Sequence, residues 1–178
     1  DIILIMNPDV RMVEPLFKKA VNYFDSNKEV ALLGMKQWYN KGKEGLSFDV
    51  DPSYSFLHPF LCAIKSRIYN KLSKFDNRDM YINGSCFFIC KQPFVKIGMF
   101  DEKIFMYCEE KGLNRRLRNS GYEITFDKNM NYFHLAGERS FSYDEFRMTL
   151  DSELYYYRKN NLDEIECLEK RISLFEFV

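Results

Sequence analysis

The chain opens on an unbroken apolar run, Ile2–Met6, closed by the turn formers Asn7, Pro8 and Asp9. A run that is apolar on both sides of its pleat predicts a strand inside a parallel sheet. Parallel strands draw their neighbours from βαβ units, so further sequence ahead of Asp1 is expected. "EPLFKKAVNYFDSN" then sets Leu16, Phe17, Ala20, Val21 and Phe24 on one helical face, with Pro15 in the first turn. "VALLG" predicts a second short buried strand, and "YNKGKEG" a loop. Over 46–79 the periodicity fades, and a helix over 61–72 is the element read there. "SCFFIC" predicts a strand, "PFVKIG" a short helix closed by Gly98, and "LNRRLRNSG" a helix closed by Gly121. "YEITF" and "NYFHL" predict two more strands. "SYDEFRMTLDSELYYYRKNN" predicts a long helix, with Ser142 as N-cap and Glu145 three residues on as a capping box. The tail over 163–175 predicts another helix. The pattern is that of one α/β domain, strands toward the front and helices toward the back, with no repeat or linker.

Composition narrows the class. A chain of 178 residues, 46% apolar and 29% charged, is a single globular domain with a core of its own. Lys and Arg (26) cancel Asp and Glu (26), which gives no electrostatic ground for a nucleic-acid partner. No apolar run reaches the length of a membrane span. The opening residues lack the basic leader and small-residue cleavage site of a signal peptide. The five cysteines, Cys62, Cys86, Cys90, Cys108 and Cys167, form no CxxC pair and read as reduced structural thiols of a cytoplasmic protein.

Candidate chemistry sits at a few positions, each with a structural alternative. Asp9 follows an apolar strand, where open α/β sheets gather ligands. One carboxylate there can hold a divalent cation against a diphosphate, with water and phosphate oxygens as the other ligands. Asn-Pro-Asp is also simply a turn. His134 ends a strand-like run, and at the same rim it would add a nitrogen to the oxygen of Asp9, a donor set that suits manganese or magnesium. A lone histidine is otherwise structural. Glu109 and Glu110 begin a helix and complement its dipole without any substrate. Alternatively, their like charges raise one pKa and make that residue a base for a substrate hydroxyl. Tyr155, Tyr156 and Tyr157 are consecutive on a helix, so at least one faces outward. With Arg158 and Lys159, that face suits a sugar or a membrane headgroup layer.

"IILIMNPDV", "INGSCFFICKQPFVKIGMFDEKIFMYCEEKGLNRRLRNSGY" and "YFHLAGERS" occur in that order. Together they resemble the family 2 glycosyltransferases, in particular the rhamnosyltransferase-like branch, through most of the chain. The resemblance implies a GT-A fold, a Rossmann-like mixed sheet flanked by helices with C-terminal helices. The fold is partial here, since nothing matches the family's N-terminal nucleotide-binding half. Residues 1–141 would be the metal and acceptor-side part, and 142–178 a C-terminal helical extension. The implied reaction is inverting transfer from a nucleotide-sugar, with a divalent cation (magnesium or manganese), to a glycan or lipid-linked acceptor. The implied setting is bacterial surface polysaccharide synthesis at the inner face of the membrane, with peripheral membrane contact and homo-oligomer contacts as further expectations. Position by position, Asp9 matches the metal and diphosphate carboxylate, with Asn7 in the same motif, and His134 the histidine that approaches them. Glu110 matches the general base and Glu109 the acid beside it. Arg116 matches the helix arginine on the packing or phosphate side, and Asp101 and Glu102 the turn acids of the acceptor side. The chain departs from the family at Glu110, usually Asp, at Gly112, usually a second acid, and at Asn7, where an acid opens the metal motif. Two other classes remain: a catalytically inactive remnant that serves as a binding module, and a nucleotidyltransferase, which would need a Gly-rich basic phosphate loop not found in this chain.

Overall fold

The computed structural model describes residues 1–39, 42–54, 59–104, 106–135 and 143–162. Ser142, Cys167 and the tail helix predicted over 163–175 lie outside the described residues. The elements run β1 (Ile2–Met6), β2 (Val10–Met12), α1 (Phe17–Ser26), β3 (Val30–Trp38), β4 (Phe48–Val50), a 3-10 turn (Pro52–Tyr54) and α2 (Pro59–Lys71). They continue with β5 (Met80–Ile82), β6 (Cys86–Cys90), α3 (Lys91–Lys96), α4 (Glu109–Asn119), β7 (Glu123–His134) and α5 (Tyr143–Lys159). The result is a mixed α/β fold, compatible with that of glycosyltransferases.

The main sheet has the order β1-β6-β3-β7-β2, and β4 and β5 form a small separate sheet. β3 and β7 are parallel, whereas β6 runs antiparallel to both β1 and β3, and β2 antiparallel to β7. Two expectations are corrected here. β1 is not interior to a parallel sheet: among the described residues it is an edge strand, antiparallel to β6. It is apolar on both sides because both faces of the sheet are covered. Ile3 and Ile5 pack into the core cluster of one face, and Ile2 and Leu4 into that of the other. The second correction concerns "YEITF" and "NYFHL", which are one long strand. Residues 128–130 bulge between the partners of Met35 and Lys36, so the break in the alternation is a bulge and not a loop.

Alternation sorts the sheet residues onto the two faces. Phe87 and Ile89 of β6 join Leu113 and Leu117 of α4, whereas Cys86 and Phe88 join Leu16, Ala20 and Phe24 at and within α1. The small sheet lies on the α4 side, and Gly34 lets it approach: a Cβ at that position would stand 2.4 Å from Cδ1 of Ile82. α2 packs on β4 with a polar inward face. Asn70 accepts from Ser47 N at 2.7 Å and donates to Phe48 O at 2.8 Å, and Ser66 Oγ accepts from Val50 N at 3.0 Å. These side chains satisfy backbone groups of β4 and of Ser47 just ahead of it.

α5 is fastened to the body by polar contacts. Tyr156 Oη donates to buried Asp51 at 2.7 Å, Lys111 Nζ lies 3.3 Å from Glu153, and Lys159 Nζ 2.6 Å from Asp101. Tyr156 and Tyr157 are buried and Tyr155 is half-buried, so the tyrosine run faces mainly inward. Burial pushes the Cys86 thiol up to about 12.

The close approach at Gly34 yields a stability test. Gly34→Ala should cost about 1–3 kcal/mol by overpacking against Ile82, read as a lower urea midpoint, while Gly34→Ala combined with Ile82→Val should recover part of the loss.

Candidate functional site

β1, β3 and β7 run in one direction, and the candidate residues gather beyond their carboxyl ends. After β1 the chain turns at Asn7, Pro8 and Asp9 and returns as β2 along β7, pairing Val10 with His134. That pairing sets Asp9 beside the end of β7: Leu135 N donates to Asp9 O at 2.9 Å, and His134 Nε2 lies 3.3 Å from Asp9 Oδ1. Asp9 and His134 thus stand together at one rim of the sheet. Asn7 turns its backbone N–H to Ser85 O at 2.9 Å. The Ser85 hydroxyl closes a buried triangle: 2.9 Å to Gln37 Oε1 and 2.6 Å to Tyr132 Oη, itself 2.9 Å from Gln37 Oε1.

The same turn reaches the carboxylate pair. A Cβ on Gly84 would lie 3.4 Å from Glu110 Cβ and 3.7 Å from its Oε2, so the Glu110 side chain rests on the Gly84 backbone. Asn114, wholly buried on α4, fixes the approach by accepting from Ile82 N at 3.1 Å and donating to Glu110 O at 2.7 Å. Just ahead of α4, Tyr107 (φ 65°) and Cys108 (φ 67°) both hold left-handed backbone. That conformation costs side-chain-bearing residues about 1–2 kcal/mol each, and such strain gathers at functional sites. Burial raises the Glu110 pKa from 4.5 to about 7, and the charge of Glu109 adds to the rise. One carboxylate oxygen of Glu109, Oε2, is buried and has no hydrogen-bond partner among the described residues. The dipole of α4 acts in the opposite direction, so shielding and like charge are what poise Glu110 near neutrality.

The remaining candidates lie along the far side of α4. Arg116 donates through Nη2 to the carbonyl of Met99, a residue in left-handed backbone (φ 56°), and the Arg116 Nε has no hydrogen-bond partner among the described residues. Asp101 is tied to Lys159; burial pulls its pKa up, but hydrogen bonds from Lys159 and the Lys103 backbone more than offset this and lower it. Glu102 is exposed. A shallow hollow of about 480 Å³ lined by Asp1, Lys91, Gln92, Val95 and Lys96 lies at the other end of the sheet and touches none of the candidate residues.

No family model matches the chain. The chain is similar to a sugar transferase. It matches the rhamnosyltransferase WbbL of Escherichia coli (strain K12), with 27% identity over 181 aligned positions, covering 98% of this chain and 68% of WbbL. The likeness supports a glycosyltransferase role; it does not fix donor, acceptor or stereochemistry. No described helix is long and apolar enough to cross a membrane.

Among the described residues no group of three or more His, Cys, Asp and Glu side chains could cage a metal ion. Asp9 and His134 offer one oxygen and one nitrogen donor. Such a pair fits a cation shared with a substrate's phosphate oxygens, the usual habit of magnesium, and not a site closed by protein alone. Sequence reasoning missed Gln37, Tyr132, Ser85 and Asn114, because each sits inside an ordinary strand or helix pattern and acquires its role through long-range contacts. Gly84 carried a signal as part of "INGSC", but its contact with Glu110 is visible only in three dimensions.

The shifted Glu110 predicts a pH dependence. The native state keeps a proton that the unfolded chain releases, so the stability from this group is full below about 4.5 and is lost as pH rises through about 7. Glu110→Gln should remove that loss. Its stability relative to wild type should rise between those pH values by on the order of 2–3 kcal/mol, measured by urea unfolding at each pH.

Proposed function

We propose that the chain carries the acceptor-side chemistry of an inverting glycosyltransferase with a GT-A fold, in which Glu110 is the general base. The observation that carries this reading is a carboxyl raised to about 7, held against the same Gly84–Ser85 turn that binds the Asn7 backbone beside Asp9. A base poised near the working pH is best suited to take a proton from an attacking hydroxyl. The likeness to WbbL supports sugar transfer, and a deoxyhexose such as rhamnose is the donor sugar to try first.

In this reading the acceptor hydroxyl approaches Glu110, which accepts its proton as the oxygen bonds to the anomeric carbon. The nucleoside diphosphate departs from the opposite face of the sugar, toward Asp9 and His134. Magnesium or manganese, where bound, would neutralise charge growing on the departing diphosphate, and Asp9 with His134 are the residues to hold it. Glu109 raises the basicity of its neighbour through its charge. Asn114 and Gly84 set the position of Glu110, which matters because small displacements of a base cost large factors in rate. Glutamate in place of the usual aspartate moves the carboxyl outward by one methylene, and the bare Gly84 backbone leaves room for it. Asp101, engaged by Lys159, orients the loop ahead of α4 on the acceptor side, with Glu102 exposed beside it. Arg116 props the same loop through Met99.

The test is transfer from uridine, guanosine and thymidine diphosphate sugars to a lipid-linked or glycan acceptor, with magnesium or manganese. Glu110→Gln should lower turnover by about 10²-fold or more while donor affinity stays within a few-fold. Equal loss of both contradicts the base. Asp9→Asn should instead weaken metal-dependent donor binding together with turnover, seen by calorimetry, and an unaltered titration removes Asp9 from the site.

A further inference from the structure

α2 is an inside-out helix. Its buried stripe is Cys62, Ser66 and Asn70, the last two bonded to β4 as described. Its outward stripe is apolar: Leu61 is 46% exposed, Ile64 38%, Ile68 50%, and Leu72, just past the helix end, 65%. Steps of three, four and four residues keep these side chains on one face. A surface helix ordinarily turns its apolar face inward and its polar face to water. A contiguous exposed row of Leu and Ile marks an interaction surface.

The charges beside the row say what kind of surface it meets. α2 carries Lys65, Arg67 and Lys71 and no carboxylate, and Lys74 and Arg78 follow it. Lys65 is engaged by Asp79 at 2.6 Å and Arg78 by Asp76 at 2.7 Å. Arg67, Lys71 and Lys74 are exposed and, among the described residues, have no carboxylate partner. Arg67 and Lys71 lie three residues after Ile64 and Ile68, so they form a cationic border along one side of the apolar row.

We propose that the outward face of α2 docks on an anionic lipid surface, the apolar row entering the headgroup boundary and Arg67, Lys71 and Lys74 meeting lipid phosphates. Apolar and basic residues share this face as they do on helices that lie in the membrane plane. A second copy of the chain fits less well. A twofold contact brings the same patch of both copies together, and the basic borders would then face each other unpaired. The membrane expectation attached to the tyrosines of α5 is thereby moved to α2, and it holds whether or not the candidate site transfers sugar.

The test is co-sedimentation of the full chain with phosphatidylglycerol–phosphatidylcholine vesicles and with pure phosphatidylcholine vesicles. Binding should appear with the anionic vesicles and weaken as salt rises. Arg67→Glu with Lys71→Glu should lower partitioning by more than about 20-fold, near fivefold for each basic residue lost from the surface. Ile64→Ser with Ile68→Ser should lower it about tenfold or more at low salt, where the basic residues still act. Both pairs point to solvent, so their thermal unfolding should match wild type; if one pair melts early, Leu61→Ser with Leu72→Ser serves in its place. Equal binding of wild type and variants, or binding indifferent to lipid charge, overturns the proposal. So does sedimentation velocity showing a wild-type dimer that Ile64→Ser with Ile68→Ser makes monomeric.

Discussion

Glu110 keeps a proton to about pH 7 because its carboxyl is shielded against Gly84 with the charge of Glu109 beside it, and much of the fold holds it there. Asn114 locks the head of α4 to β5 through the Ile82 and Glu110 backbones, so the backbone that carries the carboxyl is fixed by buried hydrogen bonds. The left-handed residues Tyr107 and Cys108 swing the chain into the helix at that point. One residue further on, Lys111 is buried and joins Glu153 of α5. Burial alone would lower its pKa, but surrounding negative groups, Glu153 and Asp51 among them, more than offset this and raise it, so it remains a fixed positive charge. Its position beside Glu110 restrains the upward shift of that carboxyl without cancelling it.

The other half of the candidate site is built by strand pairing. β2 returns along β7 and brings Asp9 to His134, and the Ser85–Gln37–Tyr132 triangle anchors the turn on which both halves converge. In the proposed reaction the raised acid would accept the proton and the oxygen–nitrogen pair would help neutralise charge on the leaving group. The outward face of α2 is separate from this machinery. It arises because the small sheet needs polar side chains from α2, which turns the helix's apolar residues outward.

Local pattern carried much of the fold. The helices at α1, α2, α4 and α5 and the strands at β1, β3, β6 and β7 were readable from periodicity and from glycine stops such as Gly121. The three-residue strands β2, β4 and β5 were not, because so short a strand is defined by its partner and not by its own alternation. The place of β1 was misread because an apolar run looks the same at a two-sided edge as in an interior. For the site, Asp9 and His134 stood out as chemistry at strand ends. The pair Glu109–Glu110 stood out as well, but spacing alone could not choose between a helix-dipole role and a base; the shielding that raises the Glu110 pKa is a tertiary property that no local pattern shows. Arg116 and Asp101 were legible as residues yet not as contacts, since their partners, the Met99 carbonyl and Lys159, lie 17 and 58 residues away in sequence.

The most direct measurement of this account is a carbon-13 NMR titration of the side-chain carboxyls of Glu109 and Glu110. The predicted result is that the Glu110 signal moves with an apparent pKa of about 7 and shifts toward 4.5 when Glu109 is replaced by Gln. A Glu110 signal that titrates near 4.5 in the unaltered protein, or that ignores the replacement of Glu109, would contradict it.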